Sequence, residues 1–294
     1  MLTAHPGLPE FDYVKPASLA EASRFLAEHG RAARPFMGGT DTFVRLRDGA
    51  WQVQYLVDVK HLEGMQTLAF DPAAGLTVGA AVNLNRVNAD PAVRAHYPVL
   101  AEAAATVASY QLRTRATLAG NACNASPAGD TLGAALVLEA QVSVHGLAGI
   151  RRLELAEFFR GPGQTALQPG EIVTALHFPL PPAGYAAQYI KLGRNALGDL
   201  AIVGVAALGC RDTGTASGFR FRVALASVAP TPRLLTPAAL ADQPVTEAAL
   251  AAAAEAAAAA VNPIDDVRGS AEYRRLMVRN LTRQALTAVW RRLA

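Results

Sequence analysis

Lysine and cysteine are both scarce in this 294-residue chain. Of 27 basic residues only Lys15, Lys60 and Lys191 are lysine, so 27 − 3 leaves 24 arginines. Acidic residues number 24, and a formal net charge of +3 is too balanced to argue for a nucleic-acid partner. The two cysteines, Cys123 and Cys210, are too few for a four-thiolate iron–sulfur or zinc site, and both are expected to be buried thiols. Long apolar runs are missing too: no stretch of about 18 apolar residues is free of charge, so no membrane span is expected. The longest candidate, Ala248 to Val261, is alanine-rich, is interrupted by Glu255 and reads as a soluble helix. Met1 to Pro9 lacks the basic start and apolar run of an export signal, which makes the cytoplasm the expected location. The six histidines are scattered, with no metal-ligand spacing, no Ser-His-Asp order and no paired carboxylates beside them.

What the chain does have is a clear series of caps, turns and apolar runs. A short strand is predicted at Phe11 to Val14. Ser18-Leu19-Ala20-Glu21 then has capping-box spacing, with Gly30 as the stop of the helix it opens. An apolar run into Gly38-Gly39, a short helix over Thr42 to Arg47 and a strand at Tyr55 to Val59 complete a β-α-β-α-β unit of about 60 residues. The next segment reads as a strand at Leu76 to Val78, helices beginning at Pro91 and Pro98, and a polar loop at Gln111 to Arg115. An irregular loop from Ala116 to Asp130, an apolar helix and strands near Val142 to Val144 and at Ile172 to Phe178 follow. Pro179-Leu180-Pro181-Pro182 is the clearest boundary. Beyond it Tyr189 to Leu192, Ala201 to Leu208 and Phe219 to Ser227 read as strands. An alanine-rich helix ending at Pro263 and a last helix from Ser270 to Leu293 complete the chain. In the last helix Tyr273, Met277, Leu281, Ala285 and Val289 are expected to form one buried stripe. The class is α+β, in three pieces: residues 1–60, 61–180 and 183–294.

Two glycine-bearing loops carry the functional signal. RPFMGGTDTF, Arg34 to Phe43, ends an apolar run in adjacent glycines and continues at once with Thr40-Asp41. Gly-Gly admits positive φ and a close approach to the main chain. Thr40 or Asp41 can cap a following helix and leave its amides aimed at whatever binds there. The same residues also describe a tight strand-to-helix turn, and the spacing fits neither G-x-G-x-x-G nor G-x-x-x-x-G-K. TLAGNACNASPAGD, Thr117 to Asp130, is denser, with Gly120, Asn121, Asn124, Ser126, Pro127 and Asp130 between apolar neighbours. Asn and Ser tolerate turns and carry short hydrogen-bonding arms; an Asx-rich loop capped by Asp130 would look the same. The loops lie about 80 residues apart, each between an apolar run and a helix. One phosphate-containing ligand clasped from both sides accounts for both.

MGGTDTFVRLR, RATLAGNACNASPAGD, KLGRNALGDLAIV, SVAPTPRL and DVRGSAEYRRLM, in this order, resemble the recurring strings of one family. It is the FAD-binding (medium) subunit of the molybdenum hydroxylases, the xanthine dehydrogenase and carbon monoxide dehydrogenase group. The resemblance implies a two-part FAD-binding domain of the PCMH/vanillyl-alcohol-oxidase type, then a smaller C-terminal domain of antiparallel sheet plus helices. It implies that Phe36, Met37, Gly38, Gly39, Thr40, Asp41 and Thr42 form the first flavin loop and Thr117, Leu118, Ala119, Gly120 and Asn121 the second. Both would line the diphosphate and ribityl chain, with Asp41 capping the helix or accepting from a flavin hydroxyl. Asp130 would accept from a ribityl or ribose hydroxyl, Lys191 would stand at the flavin, Val173 would pack the adenosine side and Leu200 would cover the isoalloxazine ring.

Met37 stands where Ala is usual, and Ala119 where a second Gly is usual, which alanine tolerates if φ there is negative. FAD is expected to be held non-covalently, with no His or Cys tether beside either loop. The molybdenum cofactor and two iron–sulfur clusters are expected on partners, a large molybdopterin subunit and a small iron–sulfur subunit, assembled as a dimer of heterotrimers. Electrons would leave to NAD, a quinone or oxygen. Two other readings remain open: a free-standing flavin oxidase, which needs its own substrate cavity and base, and an assembly scaffold with vestigial flavin loops.

Overall fold

The capping signals of the first segment act as expected. In the computed structural model, which describes residues 7–195 and 198–294, Ser18 Oγ accepts from the Glu21 amide at the start of the helix Leu19–His29. Glu21 reaches back to the amide of Ala17, and Gly30 ends the helix at φ 52°. The helix connects the outer strands of a three-stranded parallel sheet, ordered Asp12–Val14, Tyr55–Asp58, Ala33–Phe36. Parallel strands bring their carboxyl ends to one edge, and from that edge the first glycine loop leads into the helix Thr42–Arg47.

A five-stranded antiparallel sheet follows, in the order Leu68–Asp71, Gly75–Gly79, Ile172–Phe178, Gln141–Gly146, Gly149–Glu154. A bulge between Val173 and Ala175 breaks its register, a device that re-aims side chains at the rim of a sheet. The third sheet is antiparallel, Ala186–Leu192, Val203–Arg211, Phe219–Ala226, Arg233–Leu235. Its second strand is buried on both faces, which explains its continuous apolar sequence. Val203, Val205 and Ala207 face the core formed with the helices Glu247–Ala259 and Ala271–Leu293, whereas Ala206 and Leu208 face the main core. On that second face the helix Asp130–Val137 packs with Gly133 over Ala206 and Ala224. The α+β class and the C-terminal sheet with its helices are both present. Among the described residues no helix is long and apolar enough to cross a membrane.

Three expectations are corrected. The loop from Ala116 to Asp130 contains the helix Leu118–Asn124, and the polar stretch before it forms the helical turn Tyr110–Arg113, capped by Ser109. Thr117 and Ser109 are N-caps whose helices are too short to show apolar periodicity. The stripe of the last helix is Arg274, Val278, Thr282, Ala285, Leu286, Val289 and Leu293, while Tyr273 is exposed and Met277 and Leu281 are only partly covered. Strict spacing by four drifts about 40° per step on a 3.6-residue helix, so it leaves the buried face within two turns.

Candidate functional site

A cleft of about 290 Å³ opens where the first two sheets meet, and both glycine loops line it. Of the sequence-derived residues it gathers Met37, Gly38, Gly39, Thr40, Asp41, Thr42, Thr117, Ala119, Gly120, Asn121 and Val173. Phe36 and Leu118 are adjacent but turned inward. Phe36 packs with Leu46, Val53 and Leu56, and Leu118 lies in the main core, so only their backbones are near the cleft.

The glycines have three separate jobs. Gly39 sits at φ 77°, which L side chains rarely adopt, and a Cβ there would stand 2.8 Å from the Phe36 ring. Gly38 is needed for another reason: a Cβ on it would collide with the Arg115 carbonyl oxygen. The two loops therefore touch backbone to backbone, and Arg115 Nε also donates to Gly38 O at 3.4 Å. Gly120 is a helical residue outside the positive-φ set. A Cβ on Gly120 would meet only Thr117 Oγ1, at 3.0 Å, and otherwise open space. Ala119, in the same first turn, also has an ordinary φ, so the usual glycine is not required there.

Polar groups face this space with capacity to spare. The amides of Gly38, Gly39, Thr40 and Asp41 donate to no acceptor within the described chain, and that of Ala119, in the first turn of its helix, has no intrahelical partner. The Gly120 amide is already taken by Thr117 Oγ1 at 2.8 Å, and Asn121 Nδ2 by Thr131 Oγ1 at 3.0 Å. Asp41 does not cap its helix: its backbone is helical and its side chain makes no cap bond, which leaves the carboxylate on the cleft wall. Glu171, also on the wall, is clamped by Arg151 at 2.6 and 2.7 Å, and this hydrogen bonding outweighs desolvation to hold its carboxyl below the usual range.

Asp130, Lys191 and Leu200 lie outside this cleft. Asp130 is the first residue of its helix, and its side chain makes no cap bond. Its carboxylate instead accepts from Lys191 Nζ at 2.7 Å and from the Tyr189 hydroxyl at 3.0 Å, and Lys191 also donates to Thr106 O. Burial raises the Asp130 pKa, against the opposing effect of Lys191 and Tyr189, and raises that of Tyr189 still further. Lys191 and Tyr189 line a second cavity of about 390 Å³. Leu200 is 61% exposed. Its neighbours are firmly held: Ala201 O accepts from Ser227 Oγ and Arg268, and Ile202 O accepts from buried Arg274. Ser227 in turn donates its amide to Pro127 O in the second loop.

Sequence reasoning missed Arg34, Arg45, Trp51, Cys123 and the turn at Gly163 to Thr165, all of which line the cleft. Gly161-Pro162-Gly163 was a legible turn signal. The arginines were hidden by their abundance. Cys123 is not the buried thiol expected: it is exposed on the cleft wall, inside the second loop. A cysteine therefore does lie beside a loop, contrary to expectation. Cys210 is buried as expected.

Residues 9–181 match the family model described as the FAD binding domain in molybdopterin dehydrogenase, and residues 188–289 the CO dehydrogenase flavoprotein C-terminal domain. The chain is 31% identical over 288 residues to the carbon monoxide dehydrogenase medium chain of Hydrogenophaga pseudoflava, covering 97% of this chain and 99% of that one. It is 29% identical to the xanthine dehydrogenase FAD-binding subunit of Escherichia coli, covering 94% of each. A solved structure of carbon monoxide dehydrogenase from Hydrogenophaga pseudoflava superposes with a TM-score of 0.90 at 32% identity, over 97% of this chain and 99% of that one. A cleft with unspent amides, a positive-φ glycine and a wall open at Gly120 fits a dinucleotide cofactor. The chain thus belongs to the FAD-binding medium subunits of the molybdenum hydroxylases, a family of dehydrogenase and oxidoreductase subunits.

Proposed function

We propose that this chain is the electron-transfer flavoprotein of a molybdenum hydroxylase, receiving electrons from an iron–sulfur partner and delivering them to an outside acceptor. The observation that carries the reading is the cleft itself, in which a loop from the parallel sheet and the start of the helix Leu118–Asn124 present amides that the fold does not use. FAD, when bound, supplies the redox chemistry, and the chain's residues position it. Amides of Gly38 to Asp41, with that of Ala119, face the diphosphate. The Thr40 and Thr117 hydroxyls donate to it, while Thr42, Asn121 and the backbones of Phe36 and Leu118 shape the walls. Met37 and Val173 supply apolar contact, Val173 on the adenosine side, and Asp41 accepts from a cofactor hydroxyl. Asp130 and Lys191 are assigned to the ribityl and ring end, and Leu200 to covering the ring. Gly39 and Gly120 keep side chains out of the way.

The molybdenum cofactor and two iron–sulfur clusters belong, on this reading, to a large and a small partner subunit. Two cysteines cannot ligate a cluster in this chain. The relative's designation as a medium chain supports the three-chain unit, and a dimer of such heterotrimers is the proposed assembly. NAD, a quinone or oxygen is the proposed acceptor. The test is anaerobic mixing of the complex's substrate with the flavin-loaded chain, alone and in the assembly. The flavin should stay oxidised alone and bleach only with the partners present. Bleaching by the chain alone would overturn the reading in favour of a free-standing oxidase, and a purified chain without flavin absorbance would favour a scaffold.

A further inference from the structure

Four charged side chains line the two-loop cleft: the carboxylates of Asp41 and Glu171 and the guanidinium groups of Arg34 and Arg45. Glu171 is already matched by Arg151. Neither Arg34 nor Arg45 has a carboxylate within 4.0 Å among the described residues. Arg45 donates to the neutral Asn124 Oδ1 at 3.1 Å, a bond that joins the first loop's helix to the second's. Both cations instead lean on one indole. The guanidinium carbon of Arg34 lies 3.9 Å from the Trp51 ring centroid and that of Arg45 5.2 Å from it. Burial, and then the neighbouring charge of Arg45, lower the pKa of Arg34. A cation–π contact offsets little of what two adjacent, part-buried like charges cost, so the arrangement is suited to a counter-ion from outside. Amides alone bind anions, but guanidinium forks add paired hydrogen bonds and full charge.

Building on the flavin reading of the cleft, we infer that Arg34 and Arg45, braced on Trp51, are binding residues for the cofactor's diphosphate. Trp51 positions both: it holds the guanidinium planes at the wall and limits their motion, so little side-chain freedom remains to be lost when the anion arrives. The chemistry recognised is a diphosphate bridged to a nucleoside, which ADP shares with FAD and adenosine lacks.

The experiment uses the full chain freed of flavin, titrated calorimetrically with FAD, ADP and adenosine at low and high salt. Arg34→Met and Arg45→Met retain an apolar stem over Trp51, and Arg34→Lys retains the charge. The wild type should bind FAD and ADP with affinity that falls as salt rises, and adenosine without that dependence. Each methionine variant should weaken FAD and ADP about tenfold or more and flatten the salt dependence, with adenosine unchanged. Arg34→Lys should recover part of the loss even if a methionine variant proves unstable. Methionine variants that match a flavin-binding wild type in affinity and salt dependence would overturn this inference alone. A wild type that takes up no FAD would overturn the flavin reading and this inference with it.

Discussion

Replacing Gly120 by valine separates the stability of the second loop from its capacity to hold a cofactor. The position is helical at ordinary φ, so the backbone admits valine, and propensity favours it over glycine by a few tenths of a kcal/mol. Against this, the new Cβ stands 3.0 Å from Thr117 Oγ1, which caps the same helix. Loss of that cap costs about 1 kcal/mol. The net effect is a destabilisation of about 0.5 kcal/mol, and at roughly 2–4 °C per kcal/mol for a chain of this size Tm moves by about 1–2 °C. The rest of the side chain enters open space that belongs to the cleft, and two methyl groups there block approach to the amide of Ala119. Bound flavin, measured as visible absorbance per polypeptide, should fall below about a tenth of the wild-type ratio, a change of ~1.4 kcal/mol or more. Gly39→Val also loses flavin, but its positive φ and the Phe36 ring add about 2–4 kcal/mol of strain, so its Tm falls as well. A Gly120→Val protein with wild-type Tm and full flavin occupancy would refute the two-loop clasp.

Lys191→Met leaves Asp130 buried with only the Tyr189 hydroxyl, and should cost about 3 kcal/mol in urea unfolding, part of it recovered by adding Asp130→Asn. Hydrogen bonds from Arg268 hold Asp266 far below the ordinary carboxylate range, so its stabilisation is complete above about pH 4, the unfolded value, and is lost as pH falls toward the folded one. Asp266→Asn should therefore lower Tm at neutral pH and have progressively less effect below about pH 4 in an acid series. Cys123 is exposed on the cleft wall, so maleimide should label the flavin-free chain there and be blocked by bound FAD, while buried Cys210 should stay unlabelled.

Local signals were legible wherever the chain decides its own conformation. Ser18 with Glu21, Asp90 before Pro91 and the apolar run of Ile172 to Phe178 act within a few residues, and the structure follows them. The helix Leu118–Asn124 was illegible because Gly, Asn and Cys are poor helix formers, and it persists through the Thr117 cap and the packing of Leu118 and Ala122. Both glycine loops could be read as ligand-binding, yet the reasons for the individual glycines could not. Gly38 is small because of Arg115, some 77 residues away, a contact that no local pattern encodes. For the same reason the Lys191–Asp130 ion pair was invisible, although each residue was noticed alone. Arg34 and Arg45 carried no signal in a chain with 24 arginines.

The contact of Gly38 with the Arg115 carbonyl has a kinetic consequence. Walls that already abut need no closing motion to meet, so flavin association should be governed by encounter. Departure is the opposite case, since a cofactor threaded between two braced loops leaves when the parallel sheet parts from its antiparallel neighbour. Flavin loss then tracks a sub-global opening whose population rises with urea well before the chain unfolds.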